Sequence, residues 1–97
     1  MTRTEYVFSV RENIANNIQH HRYQLGMTQA VFSGHLGISE NRAYLLENPK
    51  RGGTTINSLA TIAYVLGTTV ADLVATHEGR TRLRGRAAQQ RPRSPLA

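Results

Sequence analysis

Apolar residues recur along this chain at helical intervals, and the breaks between them fall on capping residues and glycines. Val10, Ile14 and Ile18 follow a Ser9-x-x-Glu12 capping signature at four-residue spacing. The spacing predicts a first helix from Ser9 to Gln24, stopped by Leu25-Gly26. Thr28 is suited to cap a second helix ending at Leu36, after which Gly37 breaks the chain and Ser39 caps a third helix running to Glu47. Phe32, Leu36, Ile38, Ala43 and Leu46 can share one core, which turns Gln29, Glu40, Asn41, Tyr44 and Leu45 away from it. Pro49 pushes Asn48 out of the helical region, and Lys50-Arg51-Gly52-Gly53 reads as a basic, flexible loop. Thr55 caps a fourth helix with the stripe Ile56, Leu59, Ile62, Ala63 and Leu66, closed by Gly67. Thr69, with Asp72 three residues on, caps a fifth whose apolar face is Val70, Leu73 and Val74. Residues 1–8 carry no helical period and read as an N-terminal arm. Gly34 is the one irregularity, costing up to about 1 kcal/mol relative to alanine unless packing or a close approach from outside requires it.

The expected architecture is thus all-α, a compact five-helix domain over residues 9–78 with short connections. Its centre is TQAVFSGHLGISENRAYLLE, Thr28 to Glu47, two short helices meeting at a fixed corner in the manner of a helix-turn-helix. Such a corner cannot bury itself, so the stripe of the first helix is its expected floor.

The motifs around the corner resemble a known family. Gln29, the Phe32-Ser33 pair, Leu36-Gly37-Ile38-Ser39, Leu46 and Glu47 look like the helix-turn-helix of the lambda-repressor-like (XRE, Cro/C1-type) DNA-binding domains. Arg22 and Leu25-Gly26 before the motif, and Leu66-Gly67 and the Thr69–Val74 segment after it, extend the similarity over about Ser9 to Val74. The resemblance implies a sequence-specific transcriptional regulator, foremost a phage or prophage repressor or Cro-like protein acting by operator occupancy. An antitoxin repressing its own operon, or a protein-interaction adaptor on the same fold, is the alternative.

Charge changes the picture of where such a protein would hold its partner. The formal net charge is +6, yet through Thr76 six basic residues face five acids, a net of +1. From His77 onward Arg80, Arg82, Arg84, Arg86, Arg91 and Arg93 face Glu78 alone, a net of +5. Residues 79–97 therefore read as a basic tail, disordered when free because it is weakly apolar and self-repelling. Arginines at alternate positions would line one side of an extended strand. Such a tail meets polyanions or merely aids solubility.

Carried over residue by residue, the family's base-reading positions fall on Ser39, Glu40, Asn41, Tyr44 and Leu45, with Arg42 near the groove rim. A helix fits the major groove, which is about 12 Å wide and presents a distinct pattern for each base pair. Asn41 can pair with adenine, Glu40 can accept from cytosine and Leu45 can pack on a thymine methyl. Tyr44 and Leu45 are equally suited to a protein interface. Phosphate contacts are implied for Gln29, Arg22, Asn48, Lys50 and Arg51, and for Arg80, Arg82, Arg84 and Arg86 of the tail, fixing register more than sequence. Arg22 and Glu47 also match a pair that joins the first helix to the end of the third in some relatives.

Other chemistry finds little footing. His20 and His21 are adjacent and diverge on a helix without a metal-ligating neighbour one turn away, and His35 and His77 stand alone. Neither a cysteine nucleophile, a P-loop nor a convergent acid pair is present, so no enzyme, cofactor, metal or small-molecule ligand is expected. Without cysteine, a membrane-length apolar run or a signal-peptide pattern, the expected location is the bacterial or host cytosol. The expected partner is an operator in double-stranded DNA, bound by a weak or DNA-assembled dimer through Leu73, Val74 and Leu83, or by a monomer.

Overall fold

The computed structural model describes residues 1–51 and 54–76, and among them every regular element is helical. The order is α1 Arg3–Gln24, α2 Gln29–Leu36, α3 Glu40–Leu46, a single 3-10 turn at Pro49–Arg51, α4 Ile56–Leu66 and α5 Val70–Val74. Each of α2 to α5 opens on the hydroxyl expected of it. Thr28, Ser39, Thr55 and Thr69 each accept a hydrogen bond from the backbone N–H three residues on.

The first helix departs from the expectation. It begins six residues earlier than Ser9, so residues 3–8 are helical where an N-terminal arm was expected. Thr2 and Glu5 form the capping box instead: the Glu5 N–H donates to Thr2 Oγ1 at 3.1 Å and the Thr2 N–H to Glu5 Oε1 at 2.8 Å. Ser9 lies inside the helix and donates its hydroxyl to the Tyr6 carbonyl. Residues 3–8 contact no core and are exposed throughout, which is why they lack an apolar period.

Ile18, Phe32, Ala43, Leu59, Ile62, Leu66 and Leu73 are buried in one cluster, with Ile14, Leu36, Ile38 and Leu46 packed against it. Most of the anticipated core is therefore present, joined by Met27 and Val65. Ile56 is the largest exception at 73% exposed, since the first turn of α4 stands clear of the cluster, and Val10 and Val74 also lie outside it. Leu73, expected at a dimer contact, is instead wholly buried, and Val74 beside it is partly exposed.

Two polar links tie α1 to α5. Asn17, buried on the inner side of α1, donates from Nδ2 to the carbonyls of Asp72, Leu73 and Ala75 at 3.1, 2.9 and 2.9 Å. One turn on, His21 Nε2 pairs with Asp72 Oδ2, which also accepts from the Thr68 hydroxyl at 2.7 Å. These links fix the last helix against the first, under the corner formed by α2 and α3.

Candidate nucleic-acid interface

The corner turns on Gly37. Its φ of 70° lies in the left-handed region that other residues rarely adopt, and the Ile38 N–H reaches back to the Ser33 carbonyl at 3.1 Å. Ser39 then accepts from the Arg42 N–H at 3.1 Å, so α3 restarts two residues past the glycine. Phe32 and Ala43 are buried in the shared core, and the alanine lets α3 lie close over α2.

Burying Ala43 leaves the opposite side of α3 in solvent. Glu40, Asn41 and Tyr44 are exposed along it, Tyr44 at 55%. Arg42 is exposed on the flank. Leu45, which the periodicity turned away from the core, is instead half-buried and lines the cleft beside α1 and α4, because the end of α3 packs close to those helices.

Arg22 fixes the far end of α3. Its Nε and Nη2 donate to the two carboxylate oxygens of Glu47 at 2.7 and 3.0 Å, and its Nη1 donates to the Met27 carbonyl at 2.8 Å. Both side chains of the pair are nearly buried. The hydrogen bonds donated to Glu47 raise the guanidinium pKa above its ordinary value, against the opposing effect of burial. The Tyr23 ring covers the guanidinium at 4.6 Å. Of the two roles implied for Arg22, the link to Glu47 is formed, and its donors are turned inward instead of toward a phosphate.

At the other edge, Gln29 is the first residue of α2, half-buried behind the Thr28 cap, with the N-terminal backbone N–H groups beside it. The Gln29 Oε1 atom is buried with no hydrogen-bond partner among the described residues. Across the corner, Asn48 Oδ1 accepts from the Lys50 N–H at 3.0 Å and the Asn48 carbonyl from the Arg51 N–H at 3.1 Å. The expected flexible loop is thus a short ordered turn up to Arg51, holding Lys50 and Arg51 exposed beyond α3. Gly52 and Gly53, and the tail with Arg80, Arg82, Arg84, Arg86 and Leu83, lie outside the described residues.

Sequence reasoning missed Asn17 and the His21–Asp72 pair. Asn17 left a faint signal, a polar residue one turn from Ile14 on the inward side. His21 and Asp72 left none, being 51 positions apart. No group of three potential metal-ligating side chains occurs among the described residues, and no helix there is long and apolar enough to cross a membrane.

A capped two-helix corner carrying a polar, outward-facing second helix, braced by three further helices, defines a helix-turn-helix DNA-binding domain. Residues 17–78 match the family model of the Cro/C1-type HTH DNA-binding domain, and the chain belongs to that family. It is accordingly a DNA-binding transcription regulator. Comparison with curated proteins and with solved structures gave no match.

Proposed function

We propose that the protein is a sequence-specific repressor that acts by occupying an operator, with α3 in the major groove. The exposed row Glu40, Asn41 and Tyr44 carries this reading, because it combines base-pairing side chains with a helix whose angle is fixed by Ala43 beneath and Arg22–Glu47 at its end. Ser39, Arg42 and Leu45 flank that row. Gln29 and the N-terminal N–H groups of α2 hold the phosphate on one side of the groove, and Asn48, Lys50 and Arg51 hold it on the other. Arg22 acts through Glu47, as a positioning residue.

A phage or prophage repressor or Cro-like regulator suits this design, with autoregulation by an antitoxin or adaptor as the alternative. The described domain is close to neutral, so affinity for the polyanion rests heavily on the loop and on the arginines at 80, 82, 84 and 86. Two copies meet weakly or only on DNA. With Leu73 buried, the exposed Ile56, Tyr64 and Val74 of α4 and α5 offer apolar surface for that contact.

A mobility-shift titration on the DNA upstream of the protein's own gene, at two salt concentrations, tests the reading. The double variant Glu40→Ala, Asn41→Ala should lose sequence preference; retained preference would remove α3 from the groove and favour the protein-interaction role. Deleting residues 79–97 should flatten the salt dependence, and an unchanged slope would reduce the tail to a solubility feature.

A further inference from the structure

Between α1, α3, the Pro49–Arg51 turn and α4 lies a cleft of about 480 Å³. Its lining mixes two chemistries. Half-buried Ile14 and Leu46 supply apolar walls, backed by the buried Ile18 and Ile62, while Arg11, Arg42 and Arg51 lie along the same lining. Among the described residues no aspartate or glutamate lines it, and the ion pairs His21–Asp72 and Arg22–Glu47 leave all three arginines uninvolved.

The combination selects a class of guest. A cleft of this size falls in the range of about 300–1,000 Å³ typical of small-molecule sites. An inorganic anion would leave the apolar walls unused, and a neutral apolar molecule would leave the arginines unused. A single carboxylate on an aliphatic or aromatic body uses both, since guanidinium groups bind carboxylates through two parallel hydrogen bonds. Chain order hides the site, because its lining is gathered from five separate elements.

We infer that this cleft binds a small amphipathic monocarboxylate and that its occupancy weakens DNA binding. The second half rests on the operator-binding reading, in which Arg42, Leu45 and Arg51 face DNA; the same three residues line the cleft. A bound carboxylate draws Arg51 away from the phosphate and Arg42 away from the groove rim, and adds a negative charge at the edge of α3. The guest is thus an inducer that releases the operator.

Methyl NMR of the full chain, titrated with sodium octanoate and separately with octanol, tests the site without DNA. Octanoate should produce saturable shifts at the Ile14, Ile18, Leu46 and Ile62 methyls. Octanol, and octanoate on the Arg11→Gln variant, should each bind about tenfold more weakly, the effect of losing one charged hydrogen bond. Arg11 lies outside the proposed DNA-facing set, and unchanged Leu73 methyl shifts would certify that the variant is folded. Absence of shifts at these four residues, or equal binding of octanol, overturns the site. A mobility shift with and without octanoate then reads the coupling: weaker DNA binding supports it, and unchanged DNA binding by octanoate-saturated protein overturns the inducer role.

Discussion

Arg22 and Glu47, 25 positions apart, meet through two parallel hydrogen bonds inside the domain, at 2.7 and 3.0 Å. Removing one partner strands a buried charge, which typically costs about 3–5 kcal/mol. Arg22→Ala and Glu47→Gln should therefore each lower the unfolding free energy at the lower end of that range, measured by urea titration. Arg22→Lys should not restore it, because an ammonium cannot reproduce the fork. The sign of the pH dependence follows from the raised guanidinium pKa: the stabilisation is present below the ordinary arginine value and lost only as pH climbs through the raised one. Near neutrality Arg22 stays charged and adds no slope.

Asn17 Nδ2 shares its two N–H donors among three carbonyls at the end of α5. Asn17→Ala removes the side-chain donor that these carbonyls share, leaving the Asp72 carbonyl to the Ala75 N–H, and should cost about 1–3 kcal/mol in thermal or urea unfolding. Asn17→Asp should be worse, since it sets a carboxylate against carbonyl oxygens. A fully stable Asn17→Asp protein would show that this link contributes little.

Gly34 sits mid-helix in α2 with an ordinary right-handed backbone, and a Cβ there would meet nothing within 4 Å. Packing does not require the glycine. Gly34→Ala should raise stability by up to about 1 kcal/mol, read as a higher melting temperature. If the more stable variant also loses DNA affinity, close approach to the DNA backbone is what selects glycine here.

The first turn of α1 should fray in acid. The Glu5 carboxylate, accepting the Thr2 backbone N–H and held further by the Thr2 side chain, has a pKa below the usual glutamate value. A lowered folded-state pKa means the cap is present above the ordinary value and lost as pH falls through the lowered one. Amide exchange at Tyr6, whose N–H donates to the Thr2 carbonyl at 2.9 Å, should accelerate over that window. Glu5→Gln should remove much of the pH dependence.

The corner was legible because its signals are local. Thr28, Gly37 and Ser39 act on backbone groups a few residues away, so their spacing alone locates α2 and α3. Periodicity places the start of α1 too late because it detects burial, and residues 3–8 bury nothing. The Thr2-x-x-Glu5 box was the readable cue for that start, and it is the same signature that pointed to Ser9. Among the candidate site residues, exposure of Glu40, Asn41 and Tyr44 followed from Ala43 facing the core. The inward turn of Arg22 was only half readable, because the Met27 carbonyl that takes its third donor shows no side-chain signal. Leu45 lies where faces meet, and a helical wheel divides faces more sharply than packing does.

The contacts from Asn17 to residues 72–75 also set the smallest unit that can fold. A fragment ending at Glu47 keeps the whole corner in sequence yet loses Leu59, Ile62, Leu66 and Leu73 from beneath Phe32 and Ala43. Even one ending at Gly67 strands Asn17 and His21 in an opened seam. The recognition element is therefore not excisable as a peptide: grafting it onto another scaffold means carrying the chain from the buried part of α1 through Ala75, because the first helix and the last close on each other.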